Sequence, residues 1–302
     1  MAKKLTVGIL GVGAIGGLIA AAAAAKGYAV TCITTEERAE KLSKDGLPYR
    51  IAFLGEGTVR PNVVTELRES PDILIVTVKA PHLDDALKRV EHIAPTAQAV
   101  SLLNGTGHLQ KIRDALKCSV SVGTIGHLEA YREADGVVVS ASRAPTVELA
   151  TERGASADEV IEFFESIGVR VETFPNEVDV IWRKLSRLGP LAAVTAASKK
   201  SIGEVLEDDA WRARLDAAID ETAAVALHAG ASVDAAANRD EMRKYPPTLT
   251  TSLARDIAKH EAGELDSIVG SIVAEGEKHS IPVDTMRELY ALLQSSLKLT
   301  GS

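Results

Sequence analysis

The sequence predicts a two-part α/β protein, a parallel-sheet domain followed by an all-helical one, and three observations lead there. The chain has 302 residues, more than the ~100–200 of one ordinary domain. Its first part alternates helical segments with short runs that are apolar on both faces, the mark of parallel strands covered on both sides. From Glu177 onward only helical periodicity remains, so the boundary is set at Pro175-Asn176, giving domains 1–175 and 176–302.

Residues 5–10 are short, apolar and β-branched and read as a strand, after which Gly11-Val12-Gly13-Ala14-Ile15-Gly16 turns the chain. Residues 15–26 carry the alanine content of a strong helix former and stop at Gly27, the residue type that best tolerates a left-handed cap. Residues 28–33 form a second strand. Continuous apolar runs at 73–78 and 99–103 are buried strands, separated by a helix near 83–93. Residues 111–116 read as a helix, 120–125, 137–140 and 146–149 as strands, 157–167 as a helix and 169–174 as a closing strand. The second domain is read as helices at 177–197, 202–206, 211–229, 248–259, 263–279 and 284–299, with a loop containing Tyr245-Pro246-Pro247.

Composition narrows the function. At 46% hydrophobic and 25% charged residues the chain is an ordinary globular protein, which excludes disorder and coiled coil as whole-chain readings. A net charge of −8, from 34 basic against 42 acidic residues, gives no pull towards phosphate backbones, and no local basic patch points to nucleic acid or an anionic membrane. The expected partner is a small molecule. Cys32 and Cys118 make no disulfide framework and no metal or redox motif, which fits a cytoplasmic protein. No two histidines stand at three- or four-residue spacing, so no metal is expected. The N-terminus superficially resembles a leader, Met1-Ala2-Lys3-Lys4 before an uncharged run from Leu5 to Ala25, but five glycines within that run weaken a membrane-inserting helix.

Gly11-x-Gly13-x-x-Gly16 has a mechanical reading. Gly11 permits the tight turn, Gly13 lets backbone approach a pyrophosphate, and Gly16 lets the helix pack on the strand, while the amides of Ala14 and Ile15 at the helix start face anionic oxygens. The motif alone is weak. Here it follows a strand, opens a helix and precedes a second strand, which is the context of a Rossmann-type dinucleotide-binding domain. The second strand ends in Ile33-Thr34-Thr35-Glu36-Glu37-Arg38. Thr34, Thr35 and Arg38 can hold a ribose 2′-phosphate, favouring NADP, whereas Glu36 or Glu37 can take a ribose hydroxyl, so NAD stays open.

Five segments carry a resemblance: residues 8–17, Gly8-Ile9-Leu10-Gly11-Val12-Gly13-Ala14-Ile15-Gly16-Gly17; Val76-Thr77-Val78-Lys79-Ala80; Leu103-Asn104-Gly105; Trp182-Arg183-Lys184-Leu185; and Ser252-Leu253-Ala254-Arg255-Asp256 followed by Gly263-Glu264-Leu265-Asp266. In this order and spacing the chain resembles the ketopantoate reductase (2-dehydropantoate 2-reductase) family over essentially its whole length. The resemblance implies hydride transfer from NADPH to the keto carbon of a 2-oxo acid, ketopantoate to (R)-pantoate, in pantothenate biosynthesis. It implies that Lys184 is the catalytic lysine, its ammonium bonding the carbonyl oxygen and supplying the proton. It also implies that Glu264 orients substrate or lysine, that Ser252 binds substrate, that Lys79 contacts the cofactor, and that Asn104 lies beside both nicotinamide and substrate. Lys79 and Asn104 each follow a buried strand, so they project at the carboxyl edge of the sheet.

Two departures stand out. The family has asparagines four and eight residues after the lysine, and here those positions are Leu188 and Ala192. Both spacings return to the lysine's face of a helix, so two amides have become apolar, with Thr195 and Arg187 as the candidates to compensate. The alternative acceptor is therefore a less hydroxylated, or bulkier and more apolar, 2-oxo acid. Where the family commonly presents an arginine to the 2′-phosphate, this chain has Thr35. A reading from another class is a non-catalytic dinucleotide-binding sensor, against which the joint presence of Lys184, Glu264, Ser252 and Asn104 argues. Oligomeric state is left open, a homodimer included.

Overall fold

The computed structural model describes residues 5–126, 128–150 and 157–298, so the leader-like residues 1–4, His127 and the final residue of the helix read at 284–299 lie outside the described residues. The chain divides into two compact units, Met1–Leu103 with His108–Val180, and Asn104–Gly107 with Ile181–Ser302. The division falls inside the helix Glu177–Ser198, and the short loop Asn104–Gly107 belongs with the helical unit.

The first unit runs β1 (Thr6–Leu10), α1 (Ala14–Ala25), β2 (Ala29–Ile33), α2 (Glu36–Asp45), β3 (Leu47–Ile51), β4 (Gly55–Val59), β5 (Asn62–Val64), β6 (Ile73–Val76), α3 (Leu83–Leu87), β7 (Gln98–Ser101), α4 (His108–Ala115), β8 (Ser119–Gly126), β9 (Ala130–Arg132), β10 (Val138–Ser140), β11 (Thr146–Ala150), α5 (Asp158–Ser166) and β12 (Arg170–Phe174). Eight of these strands form one sheet in the order β12-β11-β8-β7-β6-β1-β2-β5. Neighbours are parallel except β8 and β11. β1 pairs with β2 on one side and β6 on the other, so chain order reverses there, which opens a crevice at the carboxyl ends of these strands.

Side chains explain the layers. Every residue of β6 is buried, as a central parallel strand requires. The alanines of α1 bury with Leu18 and Ile19 against Val7, Ile9 and Cys32, as expected of a helix apolar on all sides. The outer face of α1 is covered by a second sheet, ordered β4-β3-β10-β9. A Cβ on Gly17 would stand 2.7 Å from a Val138 methyl, so the bare glycine is what lets β10 approach α1. The sequence reading contains no β3, β4, β5, β9 or α2: β4, β5 and β9 have no buried residue, and β3 and α2 have too few for a continuous apolar run.

The second unit continues α6 (Glu177–Ser198) from Ile181, then α7 (Ile202–Glu207), α8 (Asp209–His228), α9 (Ala235–Met242), α10 (Ser252–Ala258), a π-helical turn Asp266–Gly270, α11 (Ser271–Lys278) and α12 (Asp284–Lys298). Leu215, Ile219, Ile272, Met286 and Leu289 are among its buried side chains. The Glu221 carboxylate accepts the amides of Thr285 at 2.8 Å and Met286 at 2.9 Å, so α8 caps α12. The helix read at 263–279 is interrupted: Gly263 takes a left-handed φ of +54°, and the π turn precedes α11. α9, capped by Asp234, is an addition whose alanine-rich, polar sequence buries only Asn238 and Met242. No helix among the described residues is long and apolar enough to cross a membrane.

Candidate functional site

In the first unit the glycine turn is a cradle. Gly11 has φ +93°, and its amide donates to the Ile33 carbonyl at 3.0 Å, tying the end of β1 to the end of β2. A Cβ on Gly16 would lie 2.0 Å from the Gly11 carbonyl oxygen and 2.4 Å from Thr77 Oγ1, a clash with backbone that no rotamer relieves. Thr77 completes the turn by donating to Gly11 O at 2.7 Å. Gly13 is exposed, and a Cβ there would meet nothing within 4 Å. It brings no capping side chain to α1, so the first amides of the helix, those of Ala14 and Ile15, are left for an anion. Open space before uncapped amides fits the pyrophosphate of a dinucleotide.

The residues at the end of β2 face in different directions. Thr35 is exposed at the start of α2 and makes no side-chain cap bond. The Arg38 guanidinium is turned inward: its Nε and Nη2 are buried without a partner among the described residues, and Nη1 stands 3.3 Å from where a Gly136 Cβ would be. Burial, with Arg132 nearby, pushes its pKa down. Glu36 is held below the usual carboxylate range by its own backbone amide and by Arg89. Arg89 is a residue that sequence reasoning missed, because it lies 53 positions from Glu36 in a turn without a motif. Lys79 is exposed between the end of β6 and a 3₁₀ turn at Ala80–His82, at the carboxyl edge of the sheet.

The second unit gathers the rest. Lys184 is half-buried on α6 between the buried Trp182 and Leu185. One turn on, Leu188 is half-buried; a further turn on, Ala192 is 0% exposed. Both candidates for compensation are engaged elsewhere. The Thr195 hydroxyl donates to the Leu191 carbonyl at 2.7 Å and lies 3.4 Å from Thr251 Oγ1, while Arg187 Nη1 donates to both Glu241 oxygens at 3.0 Å.

Asn104 Nδ2 donates to Glu264 Oε2 at 3.2 Å, joining two residues 160 apart in sequence. Asn104 Oδ1 is buried with no partner among the described residues, an acceptor left for a ligand. The loop is seated by Gly105, φ +88°, where a Cβ would fall 1.8 Å from the Ser267 carbonyl oxygen in the π turn. Such turns often mark functional sites. Ser252 is exposed as the first residue of α10, whose cap is the buried Thr251. In the first unit His108, which opens α4, is also new: both ring nitrogens are buried without a partner among the described residues, and burial pushes its pKa down to about 4.

Residues 7–150 match the family model of ketopantoate reductase PanE/ApbA, and residues 177–296 match that of the PanE/ApbA C-terminal part. A 2-dehydropantoate 2-reductase of Archaeoglobus fulgidus is 27% identical over 291 residues, covering 95% of this chain and 96% of its own. YkpB of Bacillus subtilis, described as an uncharacterized oxidoreductase, is 23% identical over 295 residues, covering 95% and 97%. Among solved structures, a PanE/ApbA family ketopantoate reductase from Ralstonia eutropha JMP134 has a TM-score of 0.90 at 23% identity, over 99% of this chain and 100% of that one. A D-mandelate dehydrogenase solved with NADH and anilino(oxo)acetate has a TM-score of 0.90 at 20% identity, over 99% and 100%. At such identities the two structures speak for the fold.

Proposed function

The chain belongs to the ketopantoate reductase PanE/ApbA family, and from that premise we propose that this oxidoreductase reduces a 2-oxo acid to a 2-hydroxy acid with NADPH, ketopantoate to (R)-pantoate being the first pair to test. One arrangement carries the reading: Asn104, bonded to Glu264 and left with an unpartnered Oδ1, in the same unit as Lys184 and Ser252. Held at the glycine turn, a reduced nicotinamide would supply the hydride that the reduction of a keto carbon needs. Lys184 donates a hydrogen bond to the keto oxygen and passes it a proton as charge develops there. Glu264 fixes Asn104, Asn104 Oδ1 accepts from the ligand, and Ser252 bonds the acid. Gly11, Gly13 and Gly16, with the amides of Ala14 and Ile15, hold the pyrophosphate, and Lys79 contacts the cofactor. Thr35 stands at the ribose 2′ substituent, while Arg38 acts there through its charge rather than through the nitrogens the protein covers. If ketopantoate is the acceptor, the enzyme serves pantothenate synthesis in the cytoplasm.

A second reading keeps the chemistry and changes the acceptor to a less hydroxylated 2-oxo acid. It is favoured by Leu188 and Ala192 on the lysine's helix face, with Thr195 and Arg187 both committed to protein partners. Steady-state loss of reduced-nicotinamide absorbance, with ketopantoate beside a panel of unhydroxylated 2-oxo acids, decides between them. Lys184→Ala is expected to abolish turnover of whichever acid wins while the cofactor dissociation constant stays within about threefold. Turnover that survives the substitution removes the lysine from its role, and silence of the unaltered protein across the panel, with tight cofactor binding, leaves a sensor.

A further inference from the structure

The carboxyl end of β2 carries a cation for which the glycine motif does not account. Arg89 belongs to the 3₁₀ turn Lys88–Val90, directly after α3. Its Nη1 donates to the carbonyls of Thr34 at 3.2 Å and Thr65 at 2.9 Å, the residues just past β2 and β5, and to Glu36 Oε1 at 3.3 Å. The guanidinium is thereby set beside Thr35, at the strand end where a dinucleotide presents its adenosine ribose. Two backbone carbonyls hold it there before any ligand arrives. Its Nε and Nη2 have no partner among the described residues and are not buried, so they remain as donors.

Arg38 supplies the contrast. It stands closer to Thr35 in sequence, yet its Nε and Nη2 are covered by protein beside the turn at Gly136. An arginine can grip phosphate through two parallel bonds only with free fork nitrogens, and of the two side chains Arg89 has them.

We propose that Arg89 reads the ribose 2′ substituent of the cofactor, donating to a 2′-phosphate, and that Glu36 is the counter-charge this phosphate displaces. The inference rests on the dinucleotide reading of the glycine turn. Glu36 meets Arg89 through one oxygen, and its side chain is 73% exposed, which makes a weak pair in water. A phosphate dianion brings more charge and a matching geometry. Glu36, remaining nearby, repels that phosphate and offers a ribose hydroxyl an acceptor. Arg89 therefore favours NADPH, Glu36 favours NADH, and the balance of the pair sets the preference.

Equilibrium titrations test this without turnover. Dissociation constants of NADPH, NADH, 2′,5′-ADP and 5′-AMP are measured on the unaltered protein and on Arg89→Gln, Arg38→Gln and Glu36→Gln. Arg89→Gln is expected to weaken NADPH and 2′,5′-ADP by ~10–100-fold while NADH and 5′-AMP change by less than about threefold. Arg38→Gln is expected to change the NADPH:NADH ratio less than Arg89→Gln does. Because Arg89 also ties two carbonyls together, Glu36→Gln gives an arm that leaves those bonds intact, and it is expected to tighten NADPH relative to NADH. Equal weakening of all four ligands by Arg89→Gln, or an unchanged ratio in Glu36→Gln, overturns the assignment. An unaltered protein that binds NADH but not 2′,5′-ADP overturns it too, whereas one that binds neither dinucleotide overturns the cofactor reading beneath it.

Discussion

Leu188 and Ala192 stand one and two turns beyond Lys184, and the structure gives the two positions different meanings. Leu188 is half-buried, so an asparagine can be accepted there, and Leu188→Asn is expected to raise the kcat/KM of ketopantoate relative to unhydroxylated 2-oxo acids. An unchanged ratio in that assay removes Leu188 as a specificity residue. Ala192 has no exposure, so an asparagine must displace packed atoms and bury an amide, a loss of ~2–4 kcal/mol that denaturant unfolding reads directly. His108 bears on acid stability. Burial lowers its pKa from 6.5 to about 4, so in that window the unfolded chain holds a proton that the folded one does not. The fold therefore gains nothing from this ring below its folded pKa and loses ~3 kcal/mol as pH falls through the window. His108→Leu is expected to flatten the slope of stability between pH 7 and 4, and an unchanged slope in a pH series of unfolding curves contradicts the assignment. Neither the inward turn of Arg38 nor the reach of Arg89 was legible in sequence, because both depend on which neighbours the fold supplies.

At the scale of elements, β1, α1 and β2 were legible because each condition is local: an apolar strand, glycines where only glycine fits, an alanine helix stopped at Gly27. The hairpin of β3 and β4 was not, since its outer strand has no buried residue and the strand that β3 pairs with, β10, sets Val138 beside Tyr49 from the far end of the unit. The π turn escaped for a different reason: apolar residues keep a helical period through it, and only Gly263 hints at the break. The Asn104–Glu264 pair was legible as two separate positions, and the contact itself needed the fold. The glycine turn gives a paired test. Gly13→Ala meets open space and is expected to leave Tm within about 2 °C while weakening cofactor binding tenfold or more. Gly16→Ala drives a methyl into the Gly11 carbonyl, and both stability and binding are expected to fall. A Gly13→Ala protein with intact binding argues against a pyrophosphate at this turn.

At the scale of the whole molecule, a ligand that binds only the folded state stabilises it by mass action. NADPH at one hundred times its dissociation constant is expected to add ~2.7 kcal/mol, and so raise Tm by roughly 5 °C, in the unaltered protein and in Lys184→Ala alike. A rise confined to the unaltered protein makes the lysine a binding residue rather than a proton donor. The loop Asn104–Gly107 has a consequence for anyone recombining this chain with its relatives. The helical half is not one continuous cassette: a crossover at Pro175-Asn176 transplants Glu264 and the Ser267 carbonyl while leaving Asn104 and Gly105 with the other parent. Hybrids of that kind keep their function only where both parents supply the same asparagine and glycine, so a productive library carries its donor's 104–107 loop along with its helices.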